Sequence, residues 1–225
     1  LCSKGTLMQL SKTDFLLFLK CPNSLWLLKH KPKLYSHGIF SDFLKKIVDE
    51  GYEIERHLKK LLSGQDDADK YSYQSVFKTD NGLYAKADCI RDNGDGTINL
   101  YEVKSSTSVK RDSKRNHIKD AAFQKIAAED SGLKVNSVFI VHLNGKYALD
   151  GTINCQELLT FSNVTTEVSE LIPQIRVQID NALELLNSSF IDESSCSCLQ
   201  LSKSNHCDTF DYFNPSIPKY SIYKI

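Results

Sequence analysis

The chain has 225 residues, of which 41% are hydrophobic, enough to bury a core in one large domain or two small ones. Lys+Arg and Asp+Glu both number 28, so no global field draws the chain to nucleic acid or to a membrane, and a charged partner has to be met by a local patch. No run approaches the roughly 18 apolar residues of a membrane span and the N-terminus lacks a signal-peptide layout, so the sequence reads as cytoplasmic.

Residues 1–7, ahead of the candidate start Met8, are left out of the elements below. The first helix is expected up to Lys20, with Ser11 or Thr13 as N-cap and Phe15, Leu16 and Leu19 as its apolar stripe, and Pro22 interrupts it. A second helix is expected over 41–62, with Leu44, Ile47, Val48, Leu58 and Leu62 inward. Gly51 and Glu55 fall on that same face, where an acid needs explaining. Strands follow near 73–78, 83–90 and 97–103, joined by "DNG" and "DNGDG", which signal an antiparallel meander.

A helix over 117–130 ends at Gly132, and "KVNSVFIVHL" supplies the next strand, giving the order α, β, β, β, α, β. One or two further strands are expected in 146–161. A long helix over 165–187 then carries Val168, Leu171, Ile175, Ile179, Leu183 and Leu186 at helical spacing, with Pro173 tolerated. Residues 188–225 are rich in Ser, Cys and Pro and need something other than a core to order them; the apolar end "IPKYSIYKI" suggests a chain that continues beyond Ile225. The expected division is an N-terminal helical segment (1–40), an α/β core with a mixed sheet flanked by helices (41–187) and a cysteine-rich segment (188–225).

The stretch "YEVK" places Glu102 and Lys104 on one face of a strand, with Asp88 ending "YAKAD" on its neighbour. Carboxylates fixed on rigid backbone suit a hard cation such as Mg²⁺, and a lysine beside them can orient a water for attack on phosphate. The plain alternative is an exposed cross-strand ion pair of Lys104 with Glu102 or Asp88, contributing about 0.2–1 kcal/mol.

Asp88 followed by Glu102-Val103-Lys104 resembles the PD-(D/E)XK nuclease superfamily, with Ala87 where the nominal pattern has proline. Gly51 and Glu55 match the acidic or histidine motif of its RecB-like members, with His57 or Glu53 as substitutes, and Gln124 in "AAFQKIAAE" matches their glutamine motif. The resemblance implies a restriction-endonuclease-like core in which Asp88, Glu102 and the Val103 carbonyl hold Mg²⁺ or Mn²⁺ and Glu55 supports them. Lys104 then positions the attacking water, and Gln124 orients Lys104 or the substrate.

Seven cysteines, an odd number, point to thiols or metal ligands rather than disulfides. Cys196, Cys198 and Cys207 have a spacing poor for a zinc ribbon and supply three thiolates; Cys21, beside the first helix, is the natural fourth. Four thiolates suit a [4Fe-4S] cluster joining the chain ends, with zinc as the alternative and His206 able to replace a ligand. Cys89 should face away from the acids into the core. One N-terminal and three C-terminal cysteines around such a core resemble the iron-sulfur branch of RecB-like nucleases, which includes the CRISPR-adaptation exonucleases and the nuclease domain of a helicase-nuclease repair complex. "FLKCPNSLWLLKHKP" and the "CSCLQLSKSNHC" tail are also similar to a bacterial family related to them.

Between Glu102-Val103-Lys104 and the glutamine helix, Lys110, Arg111, Lys114, Arg115 and Lys119 face a single Asp112 and read as a DNA-phosphate patch or else as a solvated basic loop. Tyr71, Tyr73, Tyr84, Trp26 and Tyr35 suit base stacking, though most aromatics are core. The expected function is a metal-dependent exonuclease on single-stranded or end-containing DNA. The alternatives are a non-catalytic nucleic-acid-binding module of the same fold and a zinc-stabilised interaction domain.

Overall fold

The structure is a computed structural model that describes residues 8–35, 42–112, 116–218 and 220–222, with side chains of the 42–63 helix described from Asp49 onward. The chain divides into two compact units, one of Leu1–Phe40 with Val177–Ile225 and the other of Ser41–Arg176. No helix among the described residues is long and apolar enough to cross a membrane.

In the terminal unit, helices α1 (Lys12–Lys20) and α2 (Pro22–His30) are separated by Cys21 alone. Ser11 caps α1: its hydroxyl accepts the Asp14 N–H while the Asp14 carboxylate accepts the Ser11 N–H, a reciprocal capping box. Cys21 is extended (φ −161°), which the following proline favours, and Pro22 then occupies the first turn of α2, where its missing N–H costs nothing. Phe15 is fully buried, but Leu16, expected beside it on the stripe, is 36% exposed.

The Ser41–Arg176 unit starts with α3 (Asp42–Ser63). Ile54, Leu58 and Leu62, one turn apart, form its inward face and pack with Cys89, Tyr101, Val141 and Leu159. Burying each such side chain contributes about 1.5–3 kcal/mol. The side chains of Leu44, Ile47 and Val48 lie outside the described residues. Strands β1 (Tyr71–Lys78), β2 (Leu83–Asp92) and β3 (Ile98–Lys104) form the expected antiparallel meander. Its turns are built on Gly82 (φ 97°), Gly94 (φ 80°) and Gly96 (φ 83°), a left-handed backbone that glycine takes without Cβ strain.

Helix α4 (His117–Asp130) returns the chain so that β4 (Val135–Leu143) lies parallel to β3. The Asn116 side chain caps α4 by accepting the N–H of Ile118 and Lys119, each at 3.1 Å. The order α, β, β, β, α, β is the expected one, and the sheet is mixed. Of the one or two strands expected in 146–161 there is one: a single turn, α5 (Cys155–Leu158), leads into β5 (Leu159–Asn163), antiparallel to β4. Side chains alternate across the sheet, so Tyr101 and Val103 join the α3 cluster while Glu102 and Lys104 meet α4.

Helix α6 (Thr165–Asn187) runs on through Pro173 and carries the chain back into the terminal unit. There the tail is ordered by burial as well as by cysteines: Cys21, Leu27, Cys196, Cys198, Cys207, Phe210 and Phe213, the last two in the short helix α7 (Phe210–Phe213), share one core. Polar contacts tie it further: Trp26 Nε1 donates to the Ser188 carbonyl at 2.9 Å, Asn23 to the Asp192 and Ser195 carbonyls at 3.0 Å, and Ser24 Oγ lies 2.5 Å from Thr209 Oγ1.

Candidate functional site

The β2–β3 ladder ends at Cys89 opposite Tyr101, yet both strands continue, β2 on β1 and β3 on β4. The next position in register pairs Asp88 with Glu102. Here a side chain takes over from the ladder: the Asp88 carboxylate accepts the Val103 N–H at 2.7 Å. An acid placed there satisfies a backbone donor and brings a charge to the end of the strand pair.

Glu102 is 1% exposed. Its Oε1 lies 2.8 Å from Lys104 Nζ, and its Oε2 accepts a hydrogen bond from Gln124 Nε2. Lys104 also donates to Asp120, a second buried acid on α4. The ion pair weighed as an alternative is therefore real but buried, in a three-way arrangement of two acids and one lysine. Burial by itself would favour neutral Lys104, but Glu102 and Asp120 outweigh it and hold the amine above the ordinary lysine value. Gln124 reaches Lys104 through the shared Glu102 carboxylate, and its own Oε1 is buried without a hydrogen-bond partner.

Glu55 stands on the other side of the sheet and lines, with Asp88, Val103, Tyr52, Arg56, Lys59, Tyr73 and Gln74, a cavity of about 330 Å³. Gln74 Nε2 donates to Glu55 Oε2 at 2.7 Å. The proposed substitutes point elsewhere: His57 Nδ1 lies 3.6 Å from Cys155 Sγ and its Nε2 3.8 Å from Glu53. Glu55, Asp88 and Val103 thus share one cavity, whereas Glu102 bonds to both Lys104 and Gln124. The carboxylates of Glu55, Asp88 and Glu102 do not draw together into one compact ligand group; among the described residues only the cysteines do so. Their donor type still fits a hard cation, which would compete with Lys104 or Gln124 for a Glu102 oxygen.

Two residues carry signals that the sequence reading passed over. Asp120 lies one helical turn before Gln124 and so on the same face, a spacing that could have identified it. His117, 8% exposed, accepts the Lys110 N–H at Nδ1, and burial first, with Lys104 second, pushes its pKa down to about 4.

The basic loop is only partly gathered. Arg111 is bidentate to Glu167, at 2.6 and 2.7 Å, rather than presented alone to a phosphate. Lys110 Nζ donates to Ser108 Oγ at 3.2 Å, Lys119 is half-buried in the first turn of α4, and Lys114 and Arg115 lie outside the described residues. Trp26, offered as a stacking platform, is 2% exposed and belongs to the core.

In the terminal unit the sulfurs of Cys21, Cys196, Cys198 and Cys207 lie within 4.8 Å of one another, all buried and none in a disulfide. Cys21 arrives from the α1–α2 junction and the others from the tail. A hydrogen bond from Cys21 above all, with others from Ser24, Thr209 and Cys198, pushes the Cys207 thiol down, whereas burial pushes Cys198 up. His206 is not a member: it stacks on Phe210 at 3.6 Å, with Nε2 at 3.0 Å from the Leu201 carbonyl. Cys89 lies fully buried in the α3 core, as expected, and its thiol is pushed up to about 12 by burial and the nearby Asp88. Four buried soft donors at this spacing can bind a metal ion or cluster.

No protein-family model matches the chain, and no curated protein does. Among solved structures it is similar to the crystal structure of SSO0001, with 14% identity and a TM-score of 0.49, over 83% of this chain and 80% of that one. It is also similar to the crystal structure of an alkaline exonuclease (LHK-Exo) from Laribacter hongkongensis, with 11% identity and a TM-score of 0.43, over 80% of this chain and 92% of that one.

Proposed function

We propose that this chain is a metal-dependent DNA nuclease, an exonuclease on single-stranded or end-containing DNA, whose cysteine quartet carries a structural metal cluster. The observation that carries the reading is the placement of Asp88 on the Val103 N–H where the β2–β3 ladder ends, with Glu102 and Lys104 at the same strand end and Glu55 in the same cavity as Asp88.

In this reading Asp88, Glu102 and the Val103 carbonyl hold Mg²⁺ or Mn²⁺, with Glu55 as a further carboxylate. The ion, when bound, supplies the positive charge that offsets charge building up on a phosphate under attack. Lys104 donates a hydrogen bond to the attacking water and so orients it. Asp120 holds the Lys104 ammonium in place, and Gln124 holds the Glu102 carboxylate. Lys110, Arg111, Lys114, Arg115 and Lys119 provide the nearby positive charge for the DNA backbone, Arg111 by exchanging Glu167 for phosphate.

For the quartet the reading is a [4Fe-4S] cluster, in line with the iron-sulfur branch that the cysteine arrangement resembles. Zinc is the second reading, favoured by one distance: sulfurs about 2.3 Å from a tetrahedral zinc stand about 3.8 Å apart, and Cys196 and Cys207 are 3.9 Å apart. Absorption near 400 nm after anaerobic purification, together with iron and zinc analysis, separates the two. For the activity, linear and circular single strands are incubated with Mn²⁺. Degradation of the linear strand alone is expected; cutting of the circle replaces exonuclease by endonuclease, and salt-sensitive binding without cleavage replaces both by a binding module.

A further inference from the structure

Gln74 is the one non-glycine residue among the described residues with a positive φ, at 54°. In that left-handed region the Cβ crowds the backbone, and a residue stays there only where its surroundings enforce it. The strain has a definite location. β1 pairs with β2 in constant register, Tyr73 with Cys89 and Ser75 with Ala87, and the single pair missing from the run is Gln74 with Asp88. The backbone turns aside at one residue, directly opposite the acid on which the nuclease reading depends. Gln74 lines the same cavity as Asp88, and its Nε2 donates to Glu55 Oε2 at 2.7 Å.

A regular strand at Gln74 would restore the ladder and relieve the strain, so folding stability alone gives no reason for this conformation. The conformation does place one residue between two acids that come from different elements: its backbone lies opposite Asp88 on β2 and its side chain bonds Glu55 on α3. Resting on the nuclease reading, we infer that Gln74 is a positioning residue: its left-handed backbone and its amide hold the Glu55 carboxylate toward Asp88, so that the two act on one divalent cation. A glutamine suits the task because its neutral amide donates to a carboxylate without adding a charge that would repel the cation.

The test is Mn²⁺ binding to the full chain, read from the loss of the free-ion electron paramagnetic resonance signal, alongside thermal melting. Gln74→Ala and Gln74→Gly should bind Mn²⁺ about 10-fold more weakly than the wild type, the loss typical of a residue that orients a ligand. Gln74→Gly, which tolerates the left-handed backbone, should melt no lower than the wild type, so the weaker binding cannot be assigned to unfolding. If Asp88→Ala loses Mn²⁺ while both Gln74 variants bind it with wild-type affinity, the positioning role is overturned and the nuclease reading stands. If the wild type itself binds no Mn²⁺, both are overturned.

Discussion

The Asp88 carboxylate accepts the Val103 N–H at 2.7 Å, in the place where the β2–β3 ladder stops. One side chain thus has a structural task, which any oxygen can perform, and, in the proposed nuclease reading, a chemical one, which requires charge. Asp88→Asn separates the two. Its carbonyl oxygen still accepts the Val103 N–H, so urea denaturation should show a stability change within about 1 kcal/mol, while Mg²⁺- or Mn²⁺-dependent cleavage is lost. A variant that unfolds outright would mean that the charge is needed by the fold instead.

Lys104 is shared by Glu102 and Asp120, and removing Asp120 leaves a buried ammonium with one acid in place of two. Asp120→Ala should lower the unfolding free energy by about 1–3 kcal/mol, the cost of depriving a charged buried group of one hydrogen-bond partner. The same change in a Lys104→Met background should cost much less, since no ammonium remains to be compensated. Denaturant midpoints for the four members of this cycle measure the coupling, and strict additivity would contradict it.

His117 gives the fold a dependence on acid. In the unfolded chain its ring takes a proton near 6.5, but in the folded chain only near 4, because burial and Lys104 oppose the charge. The unfolded state therefore binds more protons between those values, so this contribution is complete above about pH 6.5 and is lost as pH falls toward 4. His117→Asn, whose oxygen can accept the Lys110 N–H, removes the titration. Without divalent metal, its melting temperature should fall less than that of the wild type between about pH 7 and pH 4.5.

The cysteine quartet closes most of the chain between Cys21 and Cys207 into one loop. On the proposal that the quartet binds metal, Cys21→Ser or Cys207→Ser should lose it, lower the melting temperature and make the tail protease-sensitive. Cys89→Ser, in the α3 core, and Cys155→Ser, beside His57, should retain the metal. Elemental analysis decides, and equal metal in the Cys21 variant and the wild type would remove the four-cysteine site.

The element order was legible because the meander's glycine turns are local signals. The strand-end acids could be read from residue type and spacing, since Glu102 and Lys104 are unfavourable in a strand unless something uses them. Leu16 was misplaced because a nine-residue helix fixes its inward face only loosely. A single turn such as α5 is too short to show a helical period. Asp120 looked like any surface acid on a helix until Lys104 was seen to reach it. Arg111 finds Glu167 56 residues away, and no local pattern encodes that pairing. Gln74 carried no sequence signal at all, since a left-handed glutamine is written like any other.

Whether the strand-end acids support cleavage decides between a nuclease and the other readings of this fold. End-labelled single-stranded DNA is incubated with purified wild type, Asp88→Ala and Glu102→Ala in Mn²⁺, with chelator controls and circular dichroism to confirm folding. The account predicts Mn²⁺-dependent shortening of the label by the wild type, abolished by chelator and by either substitution in a folded protein. Cleavage at wild-type rate by both folded variants would contradict it.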